Sequence, residues 1–162
     1  MDQMRSLTSH SDFPTARKFC YLNAANVSLT YSKAKTVNEE WFTDIAHNGS
    51  NNFTENTEEI VFDGIHKSAA EFINARPNEI AGGSSATELL SSLAWSIAPK
   101  KGQNIVSTAS AFPSTVYPWL RVARSTGAEI KLAESKNGFS SLGAICNLIN
   151  NKTSVVCISH TE

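Results

Sequence analysis

The sequence predicts an α/β fold: a mostly parallel sheet sandwiched in three layers, α-β-α. Three observations point there. Asn104-Ile-Val-Ser-Thr, Ala128-Glu-Ile-Lys-Leu-Ala and Thr153-Ser-Val-Val-Cys-Ile-Ser read as short strands. Each is separated from the next by a stretch of helical length, and a crossover helix is what joins parallel strands. The last strand is β-branched and nearly all apolar, the pattern of a strand covered on both faces.

Taken in order, residues 1–20 read as a polar arm, followed by Tyr21-Leu-Asn-Ala-Ala-Asn-Val-Ser-Leu and a helix from about Ser32 to His47. Asn48-Gly-Ser-Asn-Asn is a loop by composition. A helix is expected from Thr57 to about Asn74, with Val61, Ile65, Ala69 and Phe72 on one buried stripe. Arg76-Pro-Asn-Glu stops it. Glu79-Ile-Ala-Gly-Gly is a short strand candidate, followed by a helix over Ala86–Ala98 whose apolar face is Leu89, Leu93 and Ile97. Further helices are expected around Val116–Gly127 and Ser141–Asn151, the first packing through Tyr117 and Trp119. Lys100-Lys101-Gly102 reads as a solvated turn. The final strand closes the chain at His160-Thr-Glu162 with no helix after it, so the chain is expected to be truncated.

Composition narrows the function. The 162 residues are 41% hydrophobic and 18% charged with a formal net charge of -1. That offers no basic stripe for nucleic acid and no long apolar run for a membrane. The polar start lacks the apolar middle of a secretory signal, so a cytoplasmic location is expected. Cys20, Cys146 and Cys157 have neither disulfide nor zinc spacing, and Cys146 and Cys157 are expected to be buried thiols. His10, His47 and His66 fit surface positions, and His160 a structural one. No metal site is expected.

The most informative motif is Gly82-Gly-Ser-Ser-Ala-Thr-Glu88, between the strand candidate and a helix. Ser85 and Glu88 have the spacing of a capping box with Ser85 as N-cap. First-turn amides have no partner inside a helix, and the dipole favours an anion there. Small side chains at Ser84, Ser85 and Ala86 let a phosphate reach the backbone, and the Thr87 hydroxyl adds a donor. The same spacing also suits an ordinary N-cap after a glycine turn. It is neither a P-loop nor a dinucleotide fingerprint.

The surroundings of this motif carry a resemblance. Glu79-Ile-Ala-Gly-Gly-Ser-Ser-Ala-Thr-Glu88 is similar to the EI-x-(x)-TSGATE stretch of the class V aminotransferase and cysteine desulfurase family. Ser110-Ala-Phe-Pro-Ser-Thr-Val-Tyr-Pro-Trp119 is similar to its EHHSNxxPW segment. Tyr21-Leu-Asn-Ala-Ala25 is similar to its YLDNAA loop, and Val155-Val-Cys-Ile-Ser-His160 to its strand ending in SHV. The four occur in family order across Tyr21 to Glu162.

The resemblance implies the incomplete large domain of a fold type I enzyme that uses pyridoxal 5'-phosphate. Residues 1–30 would be the N-terminal arm and active-site loop, and residues 31–162 the first portion of the cofactor-binding domain. Ser85, Ala86 and Thr87 would hold the cofactor's phosphate and Phe112 would stack on its ring, while Asn23, Ala24 and Ala25 would lie near the substrate. The substrate would be an amino acid or amine, undergoing transamination, epimerisation or elimination, and the complete protein a homodimer. No catalytic residue is assigned: the Schiff-base lysine is expected beyond Glu162. Phe112 stands where desulfurases keep histidine, and Ala111 where they keep glutamate, which weakens the case for sulfur chemistry. Two other readings stay open: an inactive truncated paralogue or partner subunit, and an unrelated α/β module binding a phosphorylated metabolite.

Overall fold

A computed structural model of the chain describes residue 9 and residues 11–160. The chain divides into two compact units, Met1–Ser68 and Ala69–Glu162. His10 lies outside the described residues.

In the first unit, a 3-10 turn at Pro14–Arg17 precedes an irregular stretch and helix α1, Ser32–Asn48. Ser32 ties this start to the arm: its amide donates to the Asp12 carbonyl at 2.9 Å and its hydroxyl at 3.0 Å. Gly49 ends α1 at φ 59, a backbone region that disfavours a side chain. Helix α2, Glu55–Ile60, is capped by the Thr54 hydroxyl, which accepts from the Thr57 amide at 3.3 Å. Helix α3, Asp63–Ile73, runs from the first unit into the second across Ser68–Ala69.

The single helix expected from Thr57 to Asn74 is therefore two, broken at Val61–Phe62. Val61 keeps a right-handed helical backbone at φ -55 and ψ -33 as the C-cap of α2. Val61, Ile65, Ala69 and Phe72 do not form a buried stripe: Phe72 is 91% exposed and the buried residue of α3 is Ala70. Periodicity marks an apolar face, but burial needs a surface to receive it, and no described residue covers Phe72.

In the second unit, a 3-10 turn at Pro77–Glu79 is held by an ion pair between Arg76 and Glu79 at 2.8 Å. This turn consumes the start of the expected strand at Glu79–Gly83. Ile80–Gly83 has no ladder partner, and its two glycines suit a loop better than a strand. Helix α4, Ala86–Ile97, follows, then strand β1, Asn104–Thr108, helix α5, Pro113–Thr126, strand β2, Glu129–Ala133, helix α6, Leu142–Cys146, and strand β3, Thr153–Val156. The sheet order is β2-β1-β3 and both pairings are parallel, as expected.

All five residues of β1 are buried, so both faces of this central strand are covered. Ile105 joins Ala94 of α4 and Trp119, Val122 and Ala123 of α5 in the core, while α6 also packs on β1 and β2. The polar residues of β1 are satisfied. Asn104 donates to Asn150 Oδ1 at 3.1 Å and accepts from the Thr153 hydroxyl at 2.8 Å. Ser107 donates to the Cys157 carbonyl at 2.7 Å.

Four expectations about burial change. β3 alternates half-buried and exposed residues, so it is covered on one side only. Cys157 is half-buried and Cys146 exposed, and α6 ends at Cys146 rather than continuing through Asn151. There the Asn150 side chain accepts from the Lys152 amide at 2.9 Å, a local bond that competes with helix. On α5, Trp119 is buried but Tyr117 is exposed. On α4, Leu89, Leu93 and Ile97 are all more than a third exposed and the contact with α5 runs through Ala94. Ala94 lies at one edge of the same apolar arc as Leu93 and Ile97, and a small residue there allows the closest approach.

These packing assignments give a direct test. Ile105→Ala is expected to destabilise the protein by about 2–5 kcal/mol. Leu93→Ala, on the face that spacing had favoured, is expected to cost less than about 1 kcal/mol. Urea denaturation of both variants checks the pair, and equal losses would contradict the assigned face.

Candidate functional site

The site is built on the first turns of two helices. Ser85 adopts an extended backbone at φ -162 and its hydroxyl accepts from the Glu88 amide at 3.2 Å, so it caps α4 as expected. The Glu88 carboxylate folds back onto Ser84, one residue further upstream than a capping box requires. It accepts the Ser84 amide at 2.7 Å and also the Ser84 hydroxyl. These bonds hold the Glu88 carboxyl below the usual glutamate range, the hydroxyl chiefly and then the amide. A Cβ on Gly83 would sit 2.7 Å from Leu89 Cδ2, so a side chain there would displace Leu89. Gly82 has open space around it, so only the second glycine is sterically required.

With Glu88 engaged upstream, the donors left at the start of α4 are the first-turn amides at Ala86 and Thr87 and the Thr87 hydroxyl. The Thr87 hydroxyl is hydrogen-bonded at 2.7 Å to the hydroxyl of Ser114, in the first turn of α5. Phe112 is the residue before α5, at φ -56 and ψ 142, and its side chain is 68% exposed. The structure therefore brings Ser85, Ala86 and Thr87 together and ties them, through Ser114, to the helix that Phe112 begins. Pro113 supplies the fixed φ of the first helical position, which sets where Phe112 leaves the helix.

Asn23, Ala24 and Ala25 belong to the other compact unit. There the Asn23 carbonyl accepts from the Asn26 amide at 3.2 Å, closing a turn over Ala24 and Ala25, and the Tyr21 hydroxyl donates to the Val27 carbonyl. All three are exposed. His160, expected to be structural, is exposed beside a cavity of about 380 Å³ at the carboxyl ends of β1 and β3. Ser140, also lining it, has a buried hydroxyl with no hydrogen-bond partner. Neither Ser114 nor Ser140 was singled out from the sequence. Ser114 falls on the serine of the EHHSNxxPW segment, a signal to which no role was attached, and Ser140 carries none. Among the described residues, no three or more His, Cys, Asp or Glu side chains gather as a metal site, and no helix is long and apolar enough to cross a membrane.

The family model for class V aminotransferases matches residues 20–162, nearly the whole chain. The chain belongs to the class V aminotransferase family. This agrees with the resemblance seen in its four motifs. Among relatives of this class V chain, a probable cysteine desulfurase from Ureaplasma parvum is 32% identical over 149 residues, covering 89% of the chain and 37% of the relative. An aminotransferase-like protein FGM3 from Gibberella zeae is 31% identical over 103 residues, 62% of the chain and 26% of the relative. The chain thus spans well under half the length of the curated relatives it matches. A solved structure of C-DES, a lysine-to-alanine mutant with glycine covalently linked to its PLP cofactor, superposes with a TM-score of 0.77 at 18% identity. It covers 94% of the class V chain and 41% of its own length. That likeness establishes the shared fold.

The cap of α4 yields two expected outcomes. Ser85→Ala should cost about 1 kcal/mol of stability. Because the Glu88 pKa is depressed in the folded chain, its stabilisation is present above the unfolded glutamate pKa and is lost as pH falls through the folded value. Protection of the first turn of α4 against amide exchange, taken relative to the intrinsic rate at each pH, should therefore fall in that acid window. Glu88→Gln should remove the step, and a step that persists in this variant would rule Glu88 out as its source.

Proposed function

We propose that this class V aminotransferase chain supplies the phosphate-binding and ring-stacking half of a pyridoxal 5'-phosphate site, in a protein that acts on an amino acid or amine. The observation that carries this reading is the Thr87–Ser114 hydrogen bond. It sets the anion-favouring start of α4 beside the helix begun by Phe112. The residues present fit the group. Ala86 leaves the backbone open, Thr87 offers an amide and a hydroxyl, and Phe112 offers an exposed aromatic face.

In this reading, Ser85 holds the helix start extended while Ala86 and Thr87 bind the phosphate. Phe112 lies against the ring, orienting it and shielding one face from water, and it carries no proton. Asn23, Ala24 and Ala25 would lie near the substrate. When bound, the cofactor supplies an electron sink for negative charge at the substrate α-carbon, so the reaction is transamination, epimerisation or elimination. The family relationship supports the remaining parts of the proposal. These are a lysine that joins the cofactor from the rest of the protein, a homodimer, a cytoplasmic location, and a division into an arm over residues 1–30 and part of the large domain over residues 31–162.

Equilibrium dialysis against pyridoxal phosphate tests the site. Thr87→Val should weaken retention by roughly tenfold, through loss of a hydrogen bond to a charged group. Phe112→Ala should weaken it by about threefold or more, through loss of stacking. Unchanged retention in both variants would remove the assignment and leave the fold intact.

A further inference from the structure

Thr87 and Ser114 are 27 residues apart, yet their hydroxyls meet at 2.7 Å. Each is the second residue of its helix, after Ala86 in α4 and after Pro113 in α5. Two helix starts, of 12 and 14 residues, are thus joined at their electropositive ends. Like partial charges brought together favour an anion between or beside them.

A hydroxyl has one proton to give and two lone pairs to receive with. If Thr87 donates to Ser114, it has no proton left for a phosphate. If Ser114 donates to Thr87, the Thr87 proton is released toward an anion at the start of α4, and the donated bond also polarises it. An anion on Thr87 therefore selects the second arrangement.

We infer that Ser114 is a positioning residue: its hydroxyl donates to Thr87 Oγ1 and so turns the Thr87 proton toward a phosphate at the first turn of α4. This rests on the phosphate reading of Thr87 made above. Ser114 acts through Thr87, so its contribution disappears when Thr87 can no longer donate. The same bond holds the start of α5, and with it Phe112, at a fixed place relative to the phosphate.

A double-mutant cycle on the full chain tests this, with inorganic phosphate and pyridoxal phosphate as separate probes in calorimetric titration. Ser114→Ala should weaken both probes by roughly fivefold, and Ser114→Thr, which keeps the hydroxyl, should restore binding. In a Thr87→Val background, Ser114→Ala should change nothing further, a non-additivity that a general loosening of the fold would not produce. Circular dichroism of each variant establishes that it is folded. Full binding in Ser114→Ala with weakened binding in Thr87→Val would overturn the role of Ser114 and leave the phosphate site standing. Additive losses would also overturn it, since Ser114 would then act independently of Thr87. Absence of binding of either probe to the unmutated chain would overturn the phosphate reading and this inference together.

Discussion

The second unit is organised by the complete burial of β1. Five consecutive buried residues in a strand require both faces to be covered and every polar group to find a partner within the protein. Asn104 meets this by joining Asn150 and Thr153 at the start of β3, and Ser107 by bonding the Cys157 carbonyl beyond its end. These side-chain bonds lock the parallel β1–β3 pair at both ends, including across the register shift between Asn104 and Ile105. An apolar replacement at Asn104 would leave partners on β3 and its preceding turn unsatisfied, so this buried amide specifies which strand sits beside β1.

From β1 the packing runs outward to the site. Ile105 contacts the cluster of Trp119, Val122 and Ala123 on α5, and Ala94 brings α4 against that cluster. Ala94 and Trp119 sit well inside their helices, and Thr87 and Ser114 sit at the starts. The hydroxyl bond is therefore the terminal contact of an interface whose apolar part is already buried. This explains how an exposed hydrogen bond, individually modest in energy, can hold a fixed geometry: the core sets the helix pair and the hydroxyls need only close the last gap. Glu88 serves the same end by engaging Ser84 and leaving the next two amides of α4 unclaimed by a side chain.

Local chemistry was legible in the sequence and tertiary covering was not. The three later strands and the N-cap at Ser85 depend on neighbours within a few residues, and the structure reproduces them. The expected strand at Glu79–Gly83 failed because Arg76 and Glu79 close a 3-10 turn, a competing local bond that apolar content does not reveal. The buried faces of α3 and α4 failed for a different reason. Leu93 and Ala94 belong to one apolar arc of α4, and which part of that arc is buried depends on the shape of α5, as the selection of Ala94 over Leu93 shows. Ser114 is the same case in the site. Its partner lies on another helix, and no local pattern links a serine after Phe112-Pro113 to the threonine before Glu88.

That limit bears on the chemistry. In the proposed site, the group at the ring position is a phenyl ring, which offers dispersion and a π-face and has no acid or base function. The one carboxyl near the phosphate end, Glu88, is committed to Ser84 and held ionised, so it is poorly placed to exchange protons in the neutral range. Thr87 and Ser114 donate hydrogen bonds and do not titrate there. These residues around the proposed site thus bind and orient without moving a proton at neutral pH. Whatever acid–base step completes the reaction must draw on groups outside this cluster. In the proposed reading, a scaffold of this kind leaves bond choice to those other groups.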